Sequence, residues 1–139
     1  MINFDNRTSL HIELETMSAI ANTFTDKEIE LILTDNEEIQ TINKEFRQID
    51  KATDVLSFPY EEMPFSPLGT ILISMEYVQK VAQELGHTDQ EEFTLLFIHG
   101  LLHILGFDHE VDNGEMRAKE SELIQQYKLP KSLIVRTQG

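Results

Sequence analysis

The chain has 139 residues, with 25 Asp and Glu residues against 11 Lys and Arg residues, and a formal net charge of −14 at pH 7. This length suits a single domain over residues 1–139, and an apolar content of 40% is enough for a hydrophobic core, which excludes global disorder. No membrane span is expected, because the longest apolar stretch has 13 residues (95–107) and includes two histidines, whereas a spanning helix needs about 20 apolar residues. Residues 1–20 lack the basic start and apolar run of a secretory signal.

The complete lack of cysteine excludes disulfides, thiol nucleophiles, iron–sulfur clusters and thiolate zinc sites. A transition metal would have to be bound by histidines and carboxylates. A chain without a signal peptide or disulfides is expected in the cytoplasm. The acidic charge argues against a nonspecific nucleic-acid binder, since such proteins attract phosphates with basic surfaces, and no DNA or membrane partner is expected.

The predicted elements come in a non-alternating order that is typical of an α+β domain. Alternating apolar residues predict strands, apolar residues at helical spacing predict helices, and capping residues or glycines mark several helix ends. We expect a small mixed sheet of about four strands packed against about five helices, with a metal site at the end of a histidine-bearing helix. In chain order, the predicted segments are a strand at 2–5, a helix within 10–24, a strand at 28–34, a helix at 35–46, neighbouring strands at 55–60 and 69–74, and helices at 75–85, 88–105 and 114–127.

The candidate chemistry lies in the segment HGLLHILGFDH, residues 99–109. His99 and His103 are four residues apart on a predicted helix, so both imidazoles project from one face and can reach one ion. Gly106 permits a left-handed turn that can bring His109 towards the same ion. Three imidazoles with a fourth position left for water are the layout of a catalytic zinc site. Imidazole also suits copper, iron and nickel, so zinc is favoured over other transition metals without being unique. His11 and His87 have no such neighbours, and a surface position is expected for both.

A metallopeptidase is one alternative, because the spacing matches the metzincin motif HExxHxxGxxH. In those enzymes the Glu after the first histidine is the general base, and here that position is Gly100. The chain therefore offers the metal site without the peptidase's proton shuttle. Asp108 and Glu110 lie near the histidines in sequence and are either acceptors for a histidine N–H or solvated loop acids.

HGLLHILGFDH closely resembles the HGxLHLxGYDH signature of the YbeY family of bacterial single-strand-specific endoribonucleases, which act in ribosomal RNA maturation and ribosome quality control. Residues 42–62, INKEFRQIDKATDVLSFPYEE, resemble the family's NxxYRxxDxPTDVLSFPxE segment. LGTILISMEYV (68–78) resembles LGDIxIS, and EMRAKESELI (115–124) resembles MxxxExxIL. Two departures from the pattern matter for function, since Thr70 replaces an Asp and Phe46 replaces a Tyr.

The resemblance implies metal ligands at His99, His103 and His109, and catalytic roles for Arg47, His99 and His103. It implies one Zn²⁺ per chain, with Ni²⁺ or another transition metal as the alternative, and an action on the 3′ end of 16S ribosomal RNA. The implied partners are single-stranded or ribosomal RNA and ribosomal proteins or assembly factors.

The local charge also favours a phosphate contact at Arg47. Residues 44–51 hold three cations, whereas residues 52–116 hold only Lys80 against twelve acids. A guanidinium can bind phosphate oxygens with two parallel hydrogen bonds. The alternative is a solvated cation at a helix C-terminus.

We therefore predict metal-assisted cleavage of an RNA phosphodiester, in which the ion polarises a phosphate oxygen or activates a water and Arg47 stabilises the charge of the transition state. The nucleophile is either that water or the RNA 2′-hydroxyl. Besides the metallopeptidase, the other alternative is a ribosome-assembly factor whose hydrolase activity is vestigial, which suits the acidic charge.

Overall fold

The structure is a computed structural model that describes residues 1–60, 66–108 and 111–130. It confirms the predicted α+β class, with a four-stranded mixed sheet and five helices in the described residues. In chain order the elements are β1 (Ile2–Asn6), α1 (Glu15–Asn22), β2 (Ile29–Thr34), α2 (Asn36–Arg47), β3 (Val55–Pro59), β4 (Gly69–Ser74), α3 (Met75–Leu85), α4 (Asp89–Ile104) and α5 (Glu115–Tyr127).

The sheet has the strand order β1-β2-β4-β3. The first three strands in this order are parallel, and β3 runs antiparallel to β4, so the two strands predicted as neighbours are paired. This order places β3 at one edge of the sheet, and β4 lies between β2 and β3.

The two faces of the sheet bury different sets of helices, because side chains alternate between the faces along each strand. Leu31 of β2 and Ile71 of β4 face the main core, to which α1, α3, α4 and α5 contribute. Leu72 of β4 and Leu56 of β3 face the other way and pack with Ile39 of α2. Helices α2 and α4 therefore lie on opposite faces of the sheet.

Helix α1 lies within the predicted segment 10–24 but occupies only part of it, from Glu15 to Asn22. Short polar side chains form hydrogen bonds with backbone groups just before this helix. The Asn6 side-chain amide donates to the carbonyl of Leu10 at 2.7 Å, and the Thr8 hydroxyl accepts from the Leu10 N–H at 3.1 Å. Such local side-chain bonds compete with helix formation, so the apolar spacing that begins at Leu10 does not become helical at once.

Helix α4 carries the two central histidines and is fixed at both ends by its sequence. The capping box of Thr88 and Glu91 is present, with both reciprocal bonds. The helix ends at Ile104, and Gly106 adopts the left-handed conformation with φ of 101° that its lack of a Cβ allows. Among the helices that the structure describes, none is both long and apolar enough to cross a membrane.

Helix α5 begins one residue later than predicted, at Glu115, and follows Gly114. The carboxylate of Asp112 accepts the N–H groups of Gly114 at 2.8 Å and Met116 at 3.0 Å. Asp112 therefore satisfies a first-turn donor from two positions before the N-cap.

Candidate active site

His99 and His103 lie side by side on one face of α4. Their Nε2 atoms are 3.1 Å apart, and their ring centroids are 4.6 Å apart with a 76° angle between the planes. Both side chains are only partly exposed. The four-residue spacing thus brings two imidazole nitrogens to one point beside the helix.

The other nitrogen of His99 contacts a buried acid on α5. Nδ1 lies 3.0 Å from Oε2 of Glu120, which is 2% exposed. A carboxylate can only accept a hydrogen bond, so Nδ1 of His99 donates its hydrogen. In a neutral imidazole this leaves a lone pair on Nε2, the atom that faces His103.

Glu120 is absent from the residues predicted for the site, although it lies in one of the segments that resemble the YbeY family. Its position did carry a signal. Met116, Glu120 and Leu123 are spaced to share one helix face, and all three are buried. A single acid in an apolar stripe requires a partner for its carboxylate, and His99 is that partner.

The two Nε2 atoms are spaced as two ligands of one tetrahedral transition-metal ion would be. Two nitrogens bound to one tetrahedral Zn²⁺ at about 2.0–2.1 Å lie about 3.3 Å apart, which is close to the 3.1 Å between the two Nε2 atoms. A histidine ligand commonly donates its second ring N–H to a carboxylate, as His99 does to Glu120.

The third predicted ligand, His109, lies outside the described residues, as does Glu110. Within residues 1–60, 66–108 and 111–130, no group of three or more histidines and acids is placed to hold a metal ion. The pair of His99 and His103 is therefore the part of the predicted ligand set whose geometry is seen.

Gly100 faces the sheet and not the two histidines. It is buried, and a Cβ added there would lie 3.0 Å from Cγ2 of Ile71 and 3.4 Å from Cγ2 of Val55. A glutamate at this position would enter the core between α4 and strands β3 and β4. The metzincin base consequently has no room at the corresponding position of this fold.

Arg47 is the last residue of α2 and is exposed. In the described part of the chain its guanidinium has no hydrogen bond or ion pair, including with either histidine. By contrast, Arg7 is held by Asp5 at 2.9 Å and Glu38 at 2.6 Å. The structure thus leaves Arg47 available to an anion without placing it against the histidine pair.

Phe46 and Thr70, the two departures from the family pattern that matter for function, lie on the face of the sheet opposite α4. Thr70 is in register with Phe58 of β3, and its hydroxyl is hydrogen-bonded to that of Tyr60 at 2.6 Å. The next residue, Ile71, is the one that meets Gly100 on the α4 side. A side chain at position 70 therefore points away from the helix that bears the histidines.

The remaining histidines differ from each other. The His11 side chain is 83% exposed, which confirms the predicted surface position. The surface position predicted for His87 is wrong, because its side chain is 8% exposed and its Nε2 lies 2.8 Å from Oε1 of the buried Glu92. His87 lies in the short connection between α3 and α4 and contacts the first turn of α4 through Glu92.

Comparisons with known proteins agree with the fold and with the family resemblance. The family described as Endoribonuclease YbeY matches residues 3–128. The Endoribonuclease YbeY of Sulfurimonas denitrificans is 60% identical over 139 residues, with 100% of both chains covered. That of Nautilia profundicola is 59% identical over 138 residues, with 99% of both chains covered.

Among solved structures, the solution structure of TM1509 from Thermotoga maritima is similar, with a TM-score of 0.60, 25% sequence identity and 92% of each chain covered. The family match and the full-length relatives agree with the resemblance drawn from the motifs and do not favour the peptidase alternative. On this evidence the chain belongs to the YbeY family of endoribonucleases.

Proposed function

We propose that this protein is a metal-dependent endoribonuclease that cleaves unpaired RNA during ribosomal RNA maturation, at the 3′ end of the 16S ribosomal RNA, and in ribosome quality control. The observation that carries the proposal is the pair of Nε2 atoms of His99 and His103, 3.1 Å apart, with His99 oriented by the buried Glu120. Membership in a family of endoribonucleases supplies the class of reaction.

His99, His103 and His109 are the proposed ligands of one ion, with Zn²⁺ favoured and Ni²⁺ or another transition metal as the alternative. When bound, such an ion acts as a Lewis acid towards a phosphate oxygen and favours deprotonation of a water. Glu120 holds the Nδ1 hydrogen of His99, which keeps the Nε2 lone pair directed away from α5. This fixes the imidazole's tautomer and orientation before any ligand arrives.

Arg47 is the proposed phosphate-binding residue of the reaction. Its guanidinium is exposed, and within the described ranges no carboxylate neutralises it. Two parallel N–H donors match two phosphate oxygens, and a donor already in place stabilises the charge that develops during cleavage. The nucleophile is a water or the 2′-hydroxyl of the RNA. A 2′-deoxy substitution at the scissile nucleotide distinguishes the two, because it abolishes only cleavage that uses the 2′-hydroxyl.

The net charge of −14 opposes unassisted binding of RNA. We therefore include ribosomal proteins or assembly factors with basic surfaces as partners that recruit the enzyme to its substrate, in the cytoplasm where ribosomes are assembled. A ribosome-assembly factor with vestigial hydrolase activity is the second candidate, and it is favoured by the same charge.

Metal content and substrate class test the proposal together. Elemental analysis of untagged protein should find about one transition ion per chain, and His103→Ala should reduce this strongly while His11→Ala, at an exposed surface site, should not. The parent chain should cut unstructured RNA and leave casein intact. Metal content near zero that zinc or nickel cannot restore would refute the metal site, and metal-dependent proteolysis would favour the peptidase. Metal binding without any RNA cleavage would favour the assembly factor.

A further inference from the structure

Three aromatic side chains lie along the β3 edge of the sheet. Phe46 ends α2 together with Arg47 and is 63% exposed, although it is a large apolar ring. Its centroid lies 5.8 Å from that of Phe58 on β3, with the planes tilted by 58°. Tyr60, just beyond β3, is 45% exposed. We call Phe46, Phe58 and Tyr60 the aromatic row.

The register of the sheet places the row along its β3 edge. Phe58 pairs with Thr70 of β4, and the hydroxyl of Tyr60 is hydrogen-bonded to that of Thr70. Phe58 lies on the side of the sheet that α2 covers. Tyr60 reaches Thr70 on that side through its hydroxyl, and it also lines a cavity with Ile104 and Leu105 at the end of α4. Phe46 packs against the ring of Phe58, and the outer surface of Phe46 is exposed to solvent.

The row lies beside a segment in which three cations outnumber the two acids Glu45 and Asp50. Residues 44–51 carry Lys44, Arg47 and Lys51, and all three are exposed. Lys44 is 3.8 Å from a carboxylate oxygen of Asp50, whereas Arg47 has no partner in the described part of the chain. In a protein with a net charge of −14, an exposed aromatic ring beside an unpaired guanidinium suits a ligand with both flat apolar rings and phosphates.

Strand β3 connects this row with the histidine-bearing helix. Helix α4 packs on the other face of the same strand, where Gly100 meets Val55. One helical turn later, Ile104 approaches the same part of the sheet. A Cβ added at Gly69 would lie 3.0 Å from Cδ1 of Ile104 and 2.6 Å from the carbonyl oxygen of Phe58. Since β3 is an edge strand, a flexible single strand can follow the row and turn around this edge towards α4.

We propose that the aromatic row is a stacking surface for unpaired bases of the RNA substrate, with Arg47 on a neighbouring phosphate. This inference rests on the proposed function, which supplies RNA as the substrate. Phe46 is its principal residue, because a base can lie on its exposed outer face while Phe58 supports it from within. Aromatic stacking tolerates any base sequence, but it requires bases that are not already stacked in a helix. The row would therefore favour single-stranded over duplex RNA.

Binding measured without cleavage tests the inference. A fluorescently labelled single-stranded RNA 12-mer is titrated with the full chain in low salt and a chelator, and anisotropy is recorded. Phe46→Ala should raise Kd about tenfold, within the range for loss of one stacked base, whereas Phe46→Tyr should bind like the parent. Leu85→Ala, which removes another exposed apolar side chain at the end of α3, should also bind like the parent.

Two further probes separate stacking from charge and from folding. An abasic 12-mer keeps every phosphate, so Phe46→Ala should not weaken its binding, while Arg47→Ala should. A 2-aminopurine base in the single strand should change its fluorescence on binding to the parent and not on binding to Phe46→Ala. The melting temperatures of the variants show whether each is folded.

The inference is wrong if Phe46→Ala binds the 12-mer like the parent, if it weakens the abasic and normal strands equally, or if the parent binds neither strand. These outcomes differ from failure of the proposed function. An enzyme that cuts RNA with unchanged affinity in Phe46→Ala would keep the function and lose the stacking surface. A chain that binds RNA through Phe46 and never cuts it would keep the stacking surface and lose the proposed function.

Discussion

Nδ1 of His99 lies 3.0 Å from Oε2 of Glu120, and this contact joins the histidine-bearing helix to the last helix of the described chain. The carboxylate is 2% exposed, and such a group is costly to bury unless its oxygens are hydrogen-bonded. The contact therefore fixes the direction of the imidazole. It also makes Glu120 the main orienting residue of the proposed metal site.

Replacing Glu120 should weaken the proposed metal site without removing a ligand. In Glu120→Gln the charge is lost and the side chain keeps its size, so we expect metal affinity to fall about 10–100-fold. Competition with a chromophoric chelator measures this. Glu122→Gln is the matched control on the same helix, because that side chain is 62% exposed and pairs only with Lys119 in the described chain. Equal affinities for the two variants would contradict the orienting role.

Gly100→Glu should destabilise the fold and should not create a peptidase. The new side chain would point at Val55 and Ile71, where overpacking and a buried charge together cost about 3 kcal/mol or more. Urea unfolding measures the loss. Gly100→Ala is the control. Alanine has a higher helix propensity than glycine, and its methyl group makes a tight contact, so the two effects oppose each other. The free energy of unfolding should therefore stay within about 1 kcal/mol of the parent. A stable Gly100→Glu variant with proteolytic activity would contradict the conclusion that a side chain at this position points into the core.

Arg47→Lys should remove much of the catalytic rate while leaving the fold intact. It keeps the positive charge and loses the two parallel donors, and loss of one such stabilising group typically lowers turnover on the order of 100-fold. Single-turnover cleavage at saturating protein separates this effect from binding. Since Arg47 is exposed, stability should change by less than about 0.5 kcal/mol. Lys80→Arg on α3 is the control, and a parental rate in Arg47→Lys would limit that residue to attracting RNA.

Glu38 should make stability depend on pH below neutrality. Hydrogen bonds from Thr34 first and Arg7 second lower the pKa of this carboxyl from its ordinary value of 4.5. The folded state thus binds its proton less readily than the unfolded state. The stabilisation is present above pH 4.5 and is lost as the pH falls through the lowered pKa.

The melting temperature of Glu38→Gln should therefore lie below that of the parent at pH 7, and the gap should shrink in acid. Glu37→Gln is the neighbouring control, because Glu37 is exposed and its carboxylate has no partner in the described ranges. A gap that stays constant between pH 7 and pH 3 would show that lost packing, and not the ionised carboxylate, causes the difference.

Much of the fold could be predicted because helix ends are local events. The capping box of Thr88 and Glu91 and the left-handed Gly86 mark their helices within a few residues. The pattern failed where a side chain formed a different local bond. Asp35 and Glu38 have the spacing of a capping box, and Asp35 caps α2, but the Glu38 carboxylate accepts from Thr34 and does not complete the box.

The site was predicted less completely, because part of it depends on contacts between distant segments. The spacing of His99 and His103 determines their common face through helix geometry alone. Glu120 follows 21 residues after His99, and only the packing of α5 against α4 brings the two together. The burial of His87 is a separate case, because its partner Glu92 lies only five residues along the chain, in the first turn of α4, and is itself buried.

Metal-dependent cleavage of single-stranded RNA by untagged protein tests the central claim most directly. The chain should cut RNA as purified, lose activity after chelation, and regain it when Zn²⁺ or Ni²⁺ is added. His103→Ala should be inactive under all three conditions, and His11→Ala should behave like the parent. Cleavage that survives chelation, or that His103→Ala retains at the parental rate, would contradict a metal-dependent site built on His99 and His103.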